Sequence, residues 1–233
     1  MLTLLTTTGE RPLAWKLCQQ HMARQTYAGA VRWIIVDDGQ AAQSIEFERE
    51  NWTLEVIRPT PYWTKGTNTQ SRNLLAGLEV VSSNDLVAII EDDDWYSPHW
   101  LRAIDEMRGA AEVVGERRAF YYNLPSRAWR DMKNSAHASL CSTAITGSAI
   151  ETLKTICHQT PRFIDLALWR LHPSKRLFDS QHVVGIKGLP GRPGIGMGHE
   201  ASHGFRKDPL GEVLRNRIGS DADFYLNLQL ETE

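Results

Sequence analysis

Four consecutive carboxylates, Glu91-Asp92-Asp93-Asp94, follow directly on the apolar run Leu86-Val-Ala-Ile-Ile90. Like charges packed this densely repel one another, so a cation or a set of donors has to compensate them. Hard divalent ions such as Mg2+ and Mn2+ bind carboxylates of this kind together with phosphate oxygens. A solvated acidic turn that caps the next helix is the plainer reading of the same residues. Their place after a buried-type strand favours the cation. Side chains alternate along a strand, which predicts Glu91 and Asp93 on one face and Asp92 and Asp94 on the other. A second acidic pair, Asp37-Asp38, closes the apolar run Trp33-Ile-Ile-Val36 and precedes Gly39.

The elements that must carry these residues alternate. Leu2 to Thr6 reads as a strand, and a helix opened by Pro12 follows, with Leu13, Leu17 and His21 on one face. Trp33 to Val36 is the next strand, and Leu54, Val56 and Ile57 mark a third that Pro59 and Pro61 stop. Leu74, Leu75, Leu78 and Val81 form a helical stripe, Leu86 to Ile90 a strand, and Ser97-Pro98 the start of a helix bearing Leu101 and Ile104. Strands alternating with helices imply a mostly parallel sheet with both faces covered, whose ligands bind beyond the carboxyl ends of the strands. Both acidic groups lie at such ends.

The second half is less regular. Strands are expected at Ala119 to Leu124, Leu140 to Ile145 and His182 to Ile186, and helices at Gly147 to His158 and Phe163 to His172. Short helices are expected from Asp208 through Leu214 and from Asp221 through Leu230. Between Gly185 and Gly204, glycines crowd around Lys187, Arg192, His199 and His203. A long glycine-rich loop bearing imidazoles and cations fits a lid over phosphates.

The 233 residues, 42% hydrophobic and 23% charged, suit one large globular domain, 1–233. A net charge of −2 argues against a polyanionic main partner. Three widely spaced cysteines, Cys18, Cys141 and Cys157, form neither a disulfide framework nor a zinc knuckle, which points to a cytoplasmic protein. The first residues are too short and polar for a signal peptide, and no apolar run approaches the ~20 residues that span a bilayer.

Thr6-Thr-Thr-Gly-Glu-Arg-Pro12, Asp37-Asp38-Gly39, Lys65-Gly66 with Arg72-Asn73, and Glu91 to Asp94 with Pro98 stand in sequence over residues 2 to 104. In order and spacing this series resembles the family 2-type, GT-A glycosyltransferases. The resemblance implies an α/β fold: a single Rossmann-like GT-A domain with a mostly parallel central sheet. A nucleotide-sugar-binding half (about 1–110) would join a less regular acceptor half (about 111–233) carrying the glycine-rich lid 185–204. It implies a metal-dependent, inverting transfer from a UDP-, GDP- or dTDP-sugar to an acceptor hydroxyl. Thr8, Arg11, Asp37, Asp38, Lys65, Arg72, Glu91 and Asp92 would then border the donor nucleotide. Asp93 and His199 would hold Mn2+ or Mg2+. Glu91 departs from the aspartate usual at the first acid position.

The family places a general base ahead of a helix, in a pattern that Phe163-Ile-Asp165-Leu-Ala-Leu168-Trp-Arg170 resembles loosely. Asp165 is the candidate base, with Asp179 as alternative. A helix-opening acid favoured by the helix dipole is the plainer role for Asp165. Trp63, Trp95 and Trp100 flank the motifs and would stack on base or sugar, or pack the core. The acceptor stays open among a glycan, a lipid carrier, a protein side chain and a modified nucleic acid base. Two other readings compete: a nucleotidyltransferase that makes nucleotide sugars, and a nucleotide- or sugar-binding domain without catalysis. The first lacks a glycine-rich phosphate loop after strand one. A P-loop enzyme would need G-x-x-x-x-G-K-[ST], which does not occur.

Overall fold

The computed structural model describes residues 1–159, 162–194, 196, 198–199 and 204–228. The first half folds as the alternation predicts: β1 (Leu2–Thr8), α1 (Pro12–Ala23), β2 (Val31–Asp37), β3 (Trp52–Ile57), α2 (Gln70–Leu78) and β4 (Leu86–Glu91). β5 (Trp95–Tyr96) and α3 (Trp100–Arg108) complete it. β4, β1, β2 and β3 lie side by side and parallel, with Leu2 opposite both Val31 and Leu86. One face of this sheet buries Leu4, Trp33 and Ile90 against Trp15, Met22 and Trp100 of α1 and α3. The other buries Leu5, Ile34 and Ile89 with Leu74 and Leu78 of α2. Burial on both faces is why β2 and β4 read as apolar runs, whereas β3, at the sheet edge, has no buried residue. Gly77 has no side chain because α2 lies so close that a methyl there would collide with Leu5.

The chain continues with β6 (Val113–Glu116), β7 (Phe120–Asn123), β8 (Ala128–Asp131), β9 (Thr143–Ile145), α4 (Ser148–Gln159) and α5 (Ile164–Leu171). It then forms β10 (Lys175–Phe178), β11 (Val183–Lys187), β12 (Arg206–Lys207), α6 (Glu212–Ile218) and α7 (Asp221–Leu226). β9 runs antiparallel between β4 and β6 and extends the main sheet to seven strands, in the order β10-β6-β9-β4-β1-β2-β3. A second sheet, ordered β12-β8-β7-β11-β5, packs Phe120, Tyr122, Val184 and Ile186 with Leu214, Ile218 and Tyr225 of α6 and α7.

The second half is therefore more regular than its sequence suggests. β6, β8, β10 and β12 escape notice because each has four residues or fewer and three of them carry arginine or lysine. The expected strand at Leu140 to Ile145 divides into a 3-10 turn, Leu140–Ser142, and β9. α3 begins at Trp100 rather than Pro98, because Ser97 Oγ faces His182 Nδ1 at 2.7 Å and accepts the His99 N–H at 3.3 Å. α6 begins at Glu212 rather than Asp208, whose carboxylate reaches across Gly211 to accept the Val213 and Leu214 amides at 3.1 and 3.2 Å. His203 and the expected end of the last helix at Leu230 lie outside the described residues. The three cysteines are free and buried. Among the described residues no helix is long and apolar enough to cross a membrane.

Candidate functional site

The carboxyl ends of β1, β4 and β11 open onto one cavity of about 590 Å3, a size typical of small-molecule sites. Thr8, Arg11, Asp38, Glu91, Asp92, Asp93 and His199 line it, and Asp165 lines it at the start of α5. Eight of the residues singled out in the sequence thus meet in one place. Asp37, Lys65, Arg72 and Asp179 are not among the residues lining it. Asp37 instead braces its own turn by accepting the Gly39 and Gln43 amides at 3.0 and 2.9 Å. Arg72 donates to the Thr60 carbonyl at 2.6 Å and stacks on Tyr62. Lys65 is exposed, while its neighbour Gly66 reaches the cavity. Asp179 is exposed and ion-paired with Arg117.

The acidic cluster does not alternate as a strand would. β4 ends at Glu91 and the next three residues turn, so Asp92 and Asp93 share one arginine. Arg11 reaches Asp92 Oδ1 at 2.6 Å and Asp93 Oδ2 at 2.9 Å, and Thr8 Oγ1 donates to Asp92 Oδ2 at 2.7 Å. On the other side Lys187, 5% exposed at the end of β11, donates to Asp94 Oδ1 at 2.8 Å. Its Nζ also lies 3.7 Å from Asp93 and 4.0 Å from Glu91. The sequence places Lys187 in a loop; its position closing the apolar run Val183 to Ile186 is the signal that ties it to a strand.

Four carboxylates, three of them buried and Glu91 partly exposed, face two cations, buried Lys187 and partly exposed Arg11, which leaves positive charge in deficit. Burial and the neighbouring Asp94 push Glu91 up to about 8. Burial pushes Asp92 up to about 6, against the pull of Arg11. Asp93 behaves differently: burial opposes its charge, but Arg11, Lys187 and His199 hold it well below the usual carboxylate range. Burial, helped by Lys187, lowers His199 to about 4, so its imidazole is neutral near pH 7. His199 Nε2 stands 3.8 Å from Asp93 Oδ2.

An ionised carboxylate beside a neutral imidazole is a competent donor set for a hard divalent ion. The buried Asp94 Oδ2, which has no hydrogen-bond partner among the described residues, adds to the fit. Glu91, Asp94 and Cys141 themselves form an acidic group able to hold a metal, with ligand atoms within 4.8 Å of one another. Lys187 stands against Asp94, Asp93 and Glu91, and Arg11 against Asp93, so an ion at either group would share its carboxylates with these side chains.

Arg192, Pro193, Gly194, Gly196 and His199 of the glycine-rich segment line the cavity. Arg192 pairs with both oxygens of Asp38, donates to Thr69 Oγ1 and lies 4.8 Å over the Trp63 ring. Gly9 leaves room for that pair, since a methyl there would strike Asp38 and Arg192. Of the three flanking tryptophans only Trp63 lines the cavity. Trp95 and Trp100 are core, and Trp95 Nε1 donates to Asp221 at 2.7 Å. Tyr121, Ser139 and Cys141 on the cavity wall carry no sequence signal, because β7 and the 3-10 turn bring them there from the second half. Tyr121 and Ser139 face each other hydroxyl to hydroxyl at 2.8 Å.

This architecture matches solved structures. The chain superposes on Staphylococcus aureus TarS with a TM-score of 0.57 over 79% of its length and 36% of TarS, at 11% identity. It superposes on S. aureus TarS 1–349 in complex with UDP with a TM-score of 0.55, over 79% of this chain and 60% of that one, at 10% identity. The chain has the fold of the TarS GT-A domain. It spans between about a third and three fifths of the TarS chains it matches. No protein-family model and no curated protein sequence matches it.

Proposed function

We propose that the chain is a glycosyltransferase that moves a sugar from a nucleoside-diphosphate sugar to an acceptor hydroxyl, with inversion and with Mn2+ or Mg2+ as cofactor. The observation that carries this reading is the shared cavity: an acid cluster with two cations at one end and Asp165 at the other. TarS, whose fold the chain shares, has been crystallised with UDP.

On this reading Asp93 and His199 hold the ion, which supplies electrostatic stabilisation of the departing diphosphate. Thr8, Arg11 and Asp38 border the nucleotide, with Trp63 beside them. Arg11 and Arg192 contribute fixed positive charge toward the phosphates, and Lys187 holds Asp94 in place and helps to keep Asp93 ionised. Closing the glycine-rich segment over the donor excludes water from the reacting centre. Asp165 takes the proton of the attacking hydroxyl. Burial raises its pKa, which makes it a stronger base than an exposed aspartate.

The test is a donor-hydrolysis screen with UDP-, GDP- and dTDP-sugars, read as release of the nucleoside diphosphate with Mn2+ and with EDTA. Metal-dependent release from one nucleotide class supports the reading. No binding and no release in any class contradicts it.

A further inference from the structure

At the acceptor end of the cavity one residue is placed against its own chemistry. Phe163 caps α5 with φ 55° and ψ 40°, the left-handed region that a bulky side chain avoids. It is also 68% exposed, so its ring gains little from burial. Neither feature helps the fold, and residues held in such conformations cluster at ligand sites. Phe163 lines the cavity between Arg162 and Asp165, two residues before the proposed base.

We propose that Phe163 is the stacking platform of the acceptor subsite and that the acceptor presents a sugar ring there. The inference rests on the glycosyltransferase reading and narrows its acceptor. A group delivered to Asp165 must offer a hydroxyl while covering an exposed aromatic face two residues away. A pyranose does both: its C–H face lies on the ring and its hydroxyls point outward at the edge. Lipid chains and aliphatic side chains carry the apolar surface without that rim of hydroxyls. The donor end has its own aromatic in Trp63, under Arg192, so a nucleobase has a separate place to stack.

The experiment uses saturation-transfer NMR on the full chain with UDP and Mg2+, against methyl glucosides, galactosides and N-acetylglucosaminides. Adenosine and a linear polyol serve as controls. The proposal expects at least one glycoside to receive saturation on its C–H face and its apparent Kd to rise roughly fivefold or more in Phe163→Ala. Phe163→Trp should restore it. Phe163→Gly should melt no lower than the wild type, because glycine accepts the left-handed conformation freely. A glycoside signal unchanged in Phe163→Ala overturns the proposal, as does no glycoside signal at all or a signal from adenosine alone. A clear fall in the melting temperature of Phe163→Gly would show that the ring serves the fold, and also overturns it. UDP binding, measured on the same samples, reports separately on the transferase reading.

Discussion

Arg192, from the glycine-rich segment after β11, pairs with both carboxylate oxygens of Asp38 at the end of β2, its Nη2 lying 3.2 Å from Oδ2. The two residues are 154 positions apart, so this contact ties Arg192 to the end of β2 across the cavity wall. Burial opposes the charge on Asp38, yet the Arg192 hydrogen bond keeps its carboxyl below the ordinary range.

The pair holds Arg192 against the end of β2 without any donor present. Arg192→Ala should therefore speed limited proteolysis within residues 188–199 in the ligand-free protein. The wild type should be cut more slowly, and a nucleoside diphosphate with Mn2+ should protect both. Equal cleavage of the two ligand-free proteins would show that the pair does not hold the segment.

Lys187→Met should be among the most destabilising single changes in the chain. It leaves Asp94 and Asp93 buried beside a lost cation, and breaking one partner of a buried pair costs about 3–5 kcal/mol. Because the deficit is one of positive charge, Mn2+ should raise the melting temperature of the variant more than that of the wild type. Scanning fluorimetry with and without Mn2+ checks both. An unchanged melting temperature would mean that Lys187 does not neutralise the cluster.

Much of the acid-cluster end of the cavity was legible because it is written locally. Asp38, Glu91, Asp92 and Asp93 end apolar runs, and strand ends of a parallel sheet face the ligand side. What the strands do not encode is which member of an adjacent pair turns inward. Asp37 and Asp38 look equivalent in sequence, but Asp37 is spent on the Gly39 and Gln43 amides. Arg72 and Lys65 carry the right charge, yet helix rotation and loop path set them aside from the cavity lining. Lys187 and Arg192 were visible as cations, but their partners lie more than 90 residues away and no local rule pairs them. The second sheet was harder still, since four of its five strands have four residues or fewer.

Asp165→Asn preserves size and helix-opening geometry while removing the basicity. Transfer should fall about 10²–10⁴-fold with donor affinity intact. Asp179→Asn should do little, because Asp179 pairs with Arg117 at the surface and does not line the cavity. The sign of the pH dependence follows from burial, which raises the pKa of Asp165. The base works only when deprotonated, so activity should rise with pH through a limb lying above the ordinary aspartate range. That limb should vanish in Asp165→Asn. Full turnover in Asp165→Asn with loss in Asp179→Asn would move the role to Asp179, and a product with retained configuration would remove the need for either.

In the proposed reading Asp93 and His199 hold a divalent ion that lets a nucleoside diphosphate bind beside four carboxylates. Isothermal titration of UDP, GDP and dTDP, with Mn2+ and again with EDTA, tests it most directly, with Asp93→Ala and His199→Ala alongside. One diphosphate should bind with Mn2+ and lose most of its affinity in EDTA, and both variants should lose the Mn2+ dependence. Equally tight binding in Mn2+ and EDTA by the wild-type protein would contradict it.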